Sequence, residues 1–126
     1  MSDTLHILLV EDDADNATVL AKLLERTGHR VARAQTVRTA IEAVDHNRFD
    51  VMISDLGLPD GSGLDLMRQV RQRSTLPGIA LTGDDSMEAS YAAGFGEHLT
   101  KPISFTVLID AIHRLTSPRP APRLAS

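Results

Sequence analysis

Five strand-length runs punctuate this chain, and between them lie segments whose apolar residues recur with helical period. The first run, Leu5-His6-Ile7-Leu8-Leu9-Val10, is almost continuously apolar, the pattern of a strand buried on both faces rather than one. A helix follows from about Asp13 to Thr27, with Leu20, Leu23, Leu24 and Thr27 on one face and Gly28 as its stop. His29 to Ala34 reads as a second strand, polar enough for a sheet edge. Thr36 then caps a helix whose Val37, Ala40, Ile41 and Val44 fall at i, i+3, i+4 and i+7. Asp50 to Ser54 makes a third strand, and the turn-rich stretch Leu56 to Gly63 leads into a helix burying Gly63, Leu66, Met67 and Val70. Pro77-Gly78 opens a fourth strand, Ile79 to Thr82. Asp85 to Ala93 gives about two turns of helix, with Ala89, Ala92 and Ala93 at core spacing and Gly94 as terminator. Phe95 to Thr100 supplies the fifth strand, and Leu108, Ala111, Ile112 and Leu115 stripe a last helix. Short β-α units in series predict an α/β fold: a doubly wound parallel sheet covered by helices on both faces.

With 126 residues, the chain has room for one domain, expected over residues 1–116, and its 42% apolar content is enough for a core. Net charge is −4 and the 13 basic residues are scattered, so direct nucleic-acid binding is not expected. The absence of cysteine removes disulfides, thiolate catalysis and most structural zinc sites. No run approaches the ~18 apolar residues that cross a bilayer, and no signal-peptide pattern opens the chain. The expectation is a cytoplasmic protein with no membrane insertion. Residues 117–126, with Pro118, Pro120 and Pro122, read as a disordered tail or linker stub.

Ligands of open parallel sheets bind beyond the carboxyl ends of the strands, and the chain places its unusual residues there. Glu11-Asp12-Asp13 follow the first run, Asp55 the third, and Lys101-Pro102 the fifth, while Thr82 ends the fourth. One acid in such a place is an N-cap, and Asp13 suits that role. Three exceed what capping requires, and a Mg²⁺ ion takes one or two carboxylates together with waters and a phosphate. Asp55 is either a turn residue or a carboxylate nucleophile that carries a phosphoryl group. Were it within ~4 Å of Glu11 and Asp12, each like-charge contact would cost roughly 4 kcal/mol at an effective dielectric of about 20. Such a cluster calls for cations, which Mg²⁺ (or Mn²⁺) and Lys101 would supply. Thr82 could donate its hydroxyl to a phosphate oxygen, and Pro102 holds Lys101 extended. The five histidines lack ligand spacing and read as structural.

The segments ILLVEDD, VMISDLGLPDGSGLDLM, IALTG and EHLTKP, in this order over roughly residues 5–116, resemble the receiver domains of two-component response regulators. The resemblance implies a flavodoxin-like fold with strand order 2-1-3-4-5. It implies Asp55 as phosphoacceptor, Glu11 and Asp12 as the acidic pair that positions Mg²⁺, and the Gly57 carbonyl as a further ligand. Thr82 matches the switch hydroxyl, Lys101 the phosphate-contacting lysine and Pro102 a proline usually preceded by a cis bond. The implied donor is a phosphohistidine on a histidine kinase dimerisation domain or a histidine phosphotransfer protein. Such a domain catalyses its own phosphorylation and dephosphorylation without being a turnover enzyme, and can form a homodimer. The wording most resembles receivers at the C-terminal end of hybrid histidine kinases. A stand-alone regulator and a phosphorylation-independent interaction module are the alternatives.

Three positions depart from the family pattern. His98 stands where a switch aromatic is expected, and reads either as a pH-sensitive element or as a buried, hydrogen-bonded ring with no switching role. The stretch between Thr82 and Lys101 is about one helical turn short. Gly83 follows Thr82 where alanine is common, which would open the phosphate to water or to a partner's imidazole. Asp15, Asn16, Val19 and the Pro102-Ile103 loop are the expected specificity surface. A Mg²⁺-dependent phosphohydrolase fits less well, since Gly57 occupies the place of a second acid two residues after Asp55.

Overall fold

The computed structural model describes residues 4–83 and 87–117. Its sheet strands are β1 (His6–Val10), β2 (Arg30–Ala34), β3 (Val51–Asp55), β4 (Gly78–Thr82) and β5 (Glu97–Thr100), all parallel, in the order 2-1-3-4-5. The helices are α1 (Ala14–Arg26), α2 (Val37–His46), α3 (Gly63–Arg73), α4 (Met87–Ala93) and α5 (Phe105–Thr116). The flavodoxin-like fold expected from the sequence is the one observed, with the polar β2 at an edge.

Alternate residues of each strand feed two cores. Ile7, Leu9, Ile53 and Leu99 pack against Ala17, Ala21 and Leu24 of α1 and Leu108, Ala111 and Ile112 of α5. Leu8, Val10, Met52 and Ala80 meet Val37 and Ala40 of α2, Leu66, Met67 and Val70 of α3 and Ala93 of α4. Both faces are covered, which is why the central strands are predominantly apolar. Each fully buried leucine, isoleucine or methionine contributes about 1.5–3 kcal/mol.

Local differences from the sequence reading have physical causes. On α1 the innermost residues are Ala17, Ala21 and Leu24, with Leu20 and Leu23 only half-buried at the flanks. Alanine lets the helix approach the sheet closely, and the leucines are displaced to the sides. On α4 the buried residues are Ser90 and Ala93; Ala89 is half-buried and Ala92 exposed. β5 begins at Glu97, two residues later than expected, with Phe95 buried ahead of it. The Leu56–Gly63 stretch carries a small antiparallel ribbon, Gly57–Leu58 against Gly61–Ser62. The expected start of the fourth helix at Asp85 and the tail from Pro118 onward lie outside the described residues.

Caps fix the helix starts that face the ligand edge. The Asp13 carboxylate accepts the N–H groups of Asp15 and Asn16, both at 3.0 Å. Thr36 and Thr39 form a reciprocal capping box at α2. Asp60 adds a second cap to that helix, accepting from Val37 N at 2.8 Å and Arg38 N at 3.1 Å. Those two donors hold its carboxyl below the usual range.

At the opposite edge, His29 Nδ1 accepts the Leu5 N–H at 3.1 Å, which requires the ring to be neutral there. Burial lowers the pKa of His29, the neighbouring His113 pushes the same way, and Asp50 opposes them. An unfolded histidine titrates near ~6.5 and so takes a proton more readily than the folded one. The His29 contribution is therefore fully present above that value and is lost as pH falls from it through the lower folded pKa. We expect about 1 kcal/mol of stability, the net value of one hydrogen bond, to disappear in that window. Urea midpoints measured between neutral pH and mild acid will show a shallower decline in His29→Gln than in wild type; equal slopes would contradict the assignment.

Candidate functional site

The carboxyl ends of β1, β3, β4 and β5 form one crevice, and each contributes at least one of the side chains singled out from the sequence. Glu11 directly follows β1, where its N–H continues the pairing with β2 by donating to Ala34 O at 3.0 Å. Its side chain turns inward and is buried, with one oxygen accepting the Asp13 N–H at 3.2 Å. Asp55 is the last residue of β3, and the chain beyond it is held by Leu56 N donating to Leu81 O at 3.2 Å. The start of α3 closes over this corner. A Cβ on Gly63 would lie 2.5 Å from the Asp55 carbonyl oxygen, so only glycine permits the approach.

These placements bring Glu11, Asp12 and Asp55 together, with one carboxylate oxygen of each lying within 4.8 Å of the others. Lys101 Nζ reaches the same cluster, 3.0 Å from Asp55 Oδ2, and the side chain of Asp55 is only 16% exposed. The backbone at Lys101 is held by its N–H donating to Thr82 O at 2.7 Å, and the Lys101–Pro102 peptide is cis. On the other side of the carboxylate, Gly57 N lies 3.4 Å from Asp55 Oδ1. Thr82 is buried at the end of β4, one residue beyond Leu81, the register partner of Asp55.

Three carboxylates here face one ammonium. Burial pushes the Glu11 carboxyl up; the Asp13 N–H opposes that, and the Asp55 charge raises it further. The cluster therefore favours an added cation. Its donors are hard oxygens, and adjacent or opposite ligands of an octahedral Mg²⁺ stand about 2.9 to 4.2 Å apart for metal–oxygen bonds of ~2.1 Å. The three oxygens, within 4.8 Å of one another, lie close to that spacing. Asp13 is turned away from the cluster as the α1 cap.

Two further sequence-selected positions have different surroundings. Gly83 is exposed, and a Cβ there would meet nothing within 4 Å. His98 lies under α4, buried, and shares a 2.8 Å hydrogen bond with Ser90 Oγ. Sequence reasoning placed Ala89, Ala92 and Ala93 at core spacing and did not single out Ser90, nor did it give a role to Asp60, whose partners are 23 and 22 residues away.

An apolar groove of about 220 Å³ is lined by Asn16, Val19, Leu20, Leu23, Ile103, Phe105 and Leu108. It includes Asn16, Val19 and Ile103 of the expected specificity surface. A larger cavity of about 510 Å³, lined by Asn47, Asp50, Ser74 and Pro77 among others, contains none of the acidic cluster.

Residues 7–113 match the response regulator receiver domain family. The chain belongs to that family. It is a receiver domain of two-component signalling. A 14.6 kDa protein of Leptolyngbya boryana is 31% identical over 116 residues, which cover 87% of this chain and 88% of that one. The sensor histidine kinase AruS of Pseudomonas aeruginosa is 34% identical over 125 residues, 93% of this receiver but only 12% of AruS. The crystal structure of the receiver domain of sensor histidine kinase PA1611, also from P. aeruginosa, is 29% identical with a TM-score of 0.84, covering 91% of this chain and 99% of that one. That structure holds a magnesium ion in its active-site cleft. Among the described residues of the present receiver, no helix is long and apolar enough to cross a membrane.

Proposed function

We propose that this receiver takes a phosphoryl group from a partner's phosphohistidine onto Asp55 in a Mg²⁺-dependent reaction, as a step of a phosphorelay. The observation that carries the proposal is the convergence of Glu11, Asp12 and Asp55 with Lys101 at 3.0 Å from the Asp55 carboxylate. Glu11, Asp12, Asp55 and the Gly57 carbonyl would hold the metal, which when bound neutralises charge on the transferring phosphoryl oxygens. An Asp55 oxygen forms the new bond to phosphorus as the phosphorus–nitrogen bond to the imidazole breaks. The electron pair stays on that nitrogen, which then takes a proton from water. Lys101 stabilises the phosphoryl oxygens from the far side, and the Thr82 hydroxyl donates to one of them. Open space at Gly83 gives water or the donor imidazole an approach.

The groove beside α1 suits the donor. Val19 is 61% exposed there, and with Leu20, Ile103 and Phe105 it offers an apolar seat for a helix of a kinase dimerisation domain or a phosphotransfer protein. Likeness to AruS over nearly the whole chain supports a place in a hybrid histidine kinase. The matched region makes up 88% of the Leptolyngbya protein, a relative that is itself little more than this domain, and that likeness favours a stand-alone regulator as the second reading. Cytoplasmic location follows from a donor of this kind.

Incubation with acetyl phosphate and Mg²⁺ tests the reaction. The proposal predicts about one phosphoryl group per chain, lost slowly by hydrolysis. No labelling would indicate an interaction module, and many turnovers of acetyl phosphate would indicate a phosphohydrolase.

A further inference from the structure

The buried bond between Ser90 and His98 is unused by the reaction just described. Ser90 is fully buried near the middle of α4, and His98, 8% exposed, sits on β5 opposite Ala80 of β4. Their 2.8 Å contact joins helix to strand. Among its described residues, Met87–Ala93, helix α4 buries only Ser90 and Ala93, the latter in the core shared with Met67 and Val70 of α3, while Met87 and Tyr91 are 46% and 49% exposed. Next to it, the Ser90 carbonyl also accepts the Phe95 N–H at 3.1 Å. On the other side of β5, Arg114 of α5 makes two bonds to Glu97, at 3.1 and 2.8 Å.

We infer that the Ser90–His98 bond is a latch that keeps α4 seated on β5 whether or not Asp55 carries a phosphoryl group. The inference deepens the phosphorelay reading and rests on Asp55 being the acceptor. Turning the imidazole outward would leave the Ser90 hydroxyl without this partner inside the protein, disfavouring that arrangement by roughly ten- to a hundredfold. A phenylalanine at position 98 would have no ring nitrogen to offer and would be free of that penalty. β5 is also registered to β4 through Ala80–His98, Leu81–Leu99 and Thr82–Thr100, so the latch lies on the strand pair that carries Thr82 and Lys101. A signal entering at Asp55 then leaves by phosphoryl transfer rather than through a reshaped α4–β5 face.

The test compares wild type, Ser90→Ala and His98→Phe by amide NMR and hydrogen exchange, free and with Mg²⁺ and beryllofluoride, an analogue of the bound phosphoryl group. Acetyl phosphate labelling is measured in parallel by mass spectrometry. In wild type, beryllofluoride is expected to shift amides around Asp55, Thr82 and Lys101 while Met87–Ala93 and His98 stay in place. Either variant should exchange its α4 amides about tenfold faster in the free state, the loss of one buried hydrogen bond, and spread the beryllofluoride shifts into α4. Wild-type α4 shifts as large as those of the variants would overturn the latch. Absence of beryllofluoride and phosphoryl uptake would instead overturn the acceptor reading. The latch would then be judged on free-state exchange, and equal α4 rates in wild type and variants would refute it.

Discussion

Asp55→Asn abolishes labelling by acetyl phosphate and, without divalent cation, raises stability by about 1 kcal/mol. Loss of labelling follows from chemistry, because a neutral amide is not a nucleophile for phosphorus under these conditions. The gain in stability follows from the crowding of Glu11, Asp12 and Asp55 within 4.8 Å. A like-charge pair at that separation costs about 3 to 4 kcal/mol at an effective dielectric of 20, reduced by solvent at the open side of the crevice. Asparagine removes two such contacts and weakens the Lys101 interaction, which offsets most of the gain. Its carbonyl oxygen can still accept from Lys101 Nζ. Saturating Mg²⁺ should reverse the order, since the wild-type cluster binds the cation more tightly and is stabilised by mass action. Chemical denaturation of both proteins with EDTA and with Mg²⁺ checks the sign change. An asparagine variant that labels like wild type, or is less stable in EDTA, contradicts the reading.

Lys101→Ala should lower the rate of labelling by about 10²–10³, the loss found when one preorganised donor to a developing oxyanion is removed, while leaving Mg²⁺ affinity intact or slightly higher. The two effects separate because the ammonium contacts Asp55 Oδ2 as a cation rather than as a ligand. Its removal takes positive charge away from the metal's surroundings, which favours the metal. Rates from stopped-time mass spectrometry and affinity from calorimetry measure the two quantities independently. Loss of Mg²⁺ affinity with labelling unchanged would invert the assigned roles.

Much of this site was legible because element order is a strong constraint. Once the apolar runs are taken as parallel strands, the ends of β1, β3, β4 and β5 must share an edge, and Glu11, Asp12, Asp55, Thr82 and Lys101 go with them. Side-chain depth was less legible. Leu20 and Leu23 outweigh alanine in any reading by hydrophobicity, yet Ala17 and Ala21 make the close contact and the leucines border the groove. In α4, seven residues are too few for a helical period to distinguish Ser90 from Ala89 or Ala92. Asp60 looked like part of a Pro59-Asp60-Gly61 turn, and its capping of α2 is a tertiary contact that no local pattern encodes. For His98 the sequence offered a pH-sensitive element or a buried, hydrogen-bonded ring without a switching role; the structure shows the burial and the bond, to a serine on a neighbouring helix that no local pattern points to.

The most direct test of the account is to locate the phosphoryl group itself. Protein treated with acetyl phosphate is reduced with borohydride, which converts an acyl phosphate to an alcohol, then digested and sequenced by mass spectrometry. The account predicts modification at Asp55 in the presence of Mg²⁺ and none after EDTA. Modification at another residue, or undiminished modification in EDTA, would contradict it.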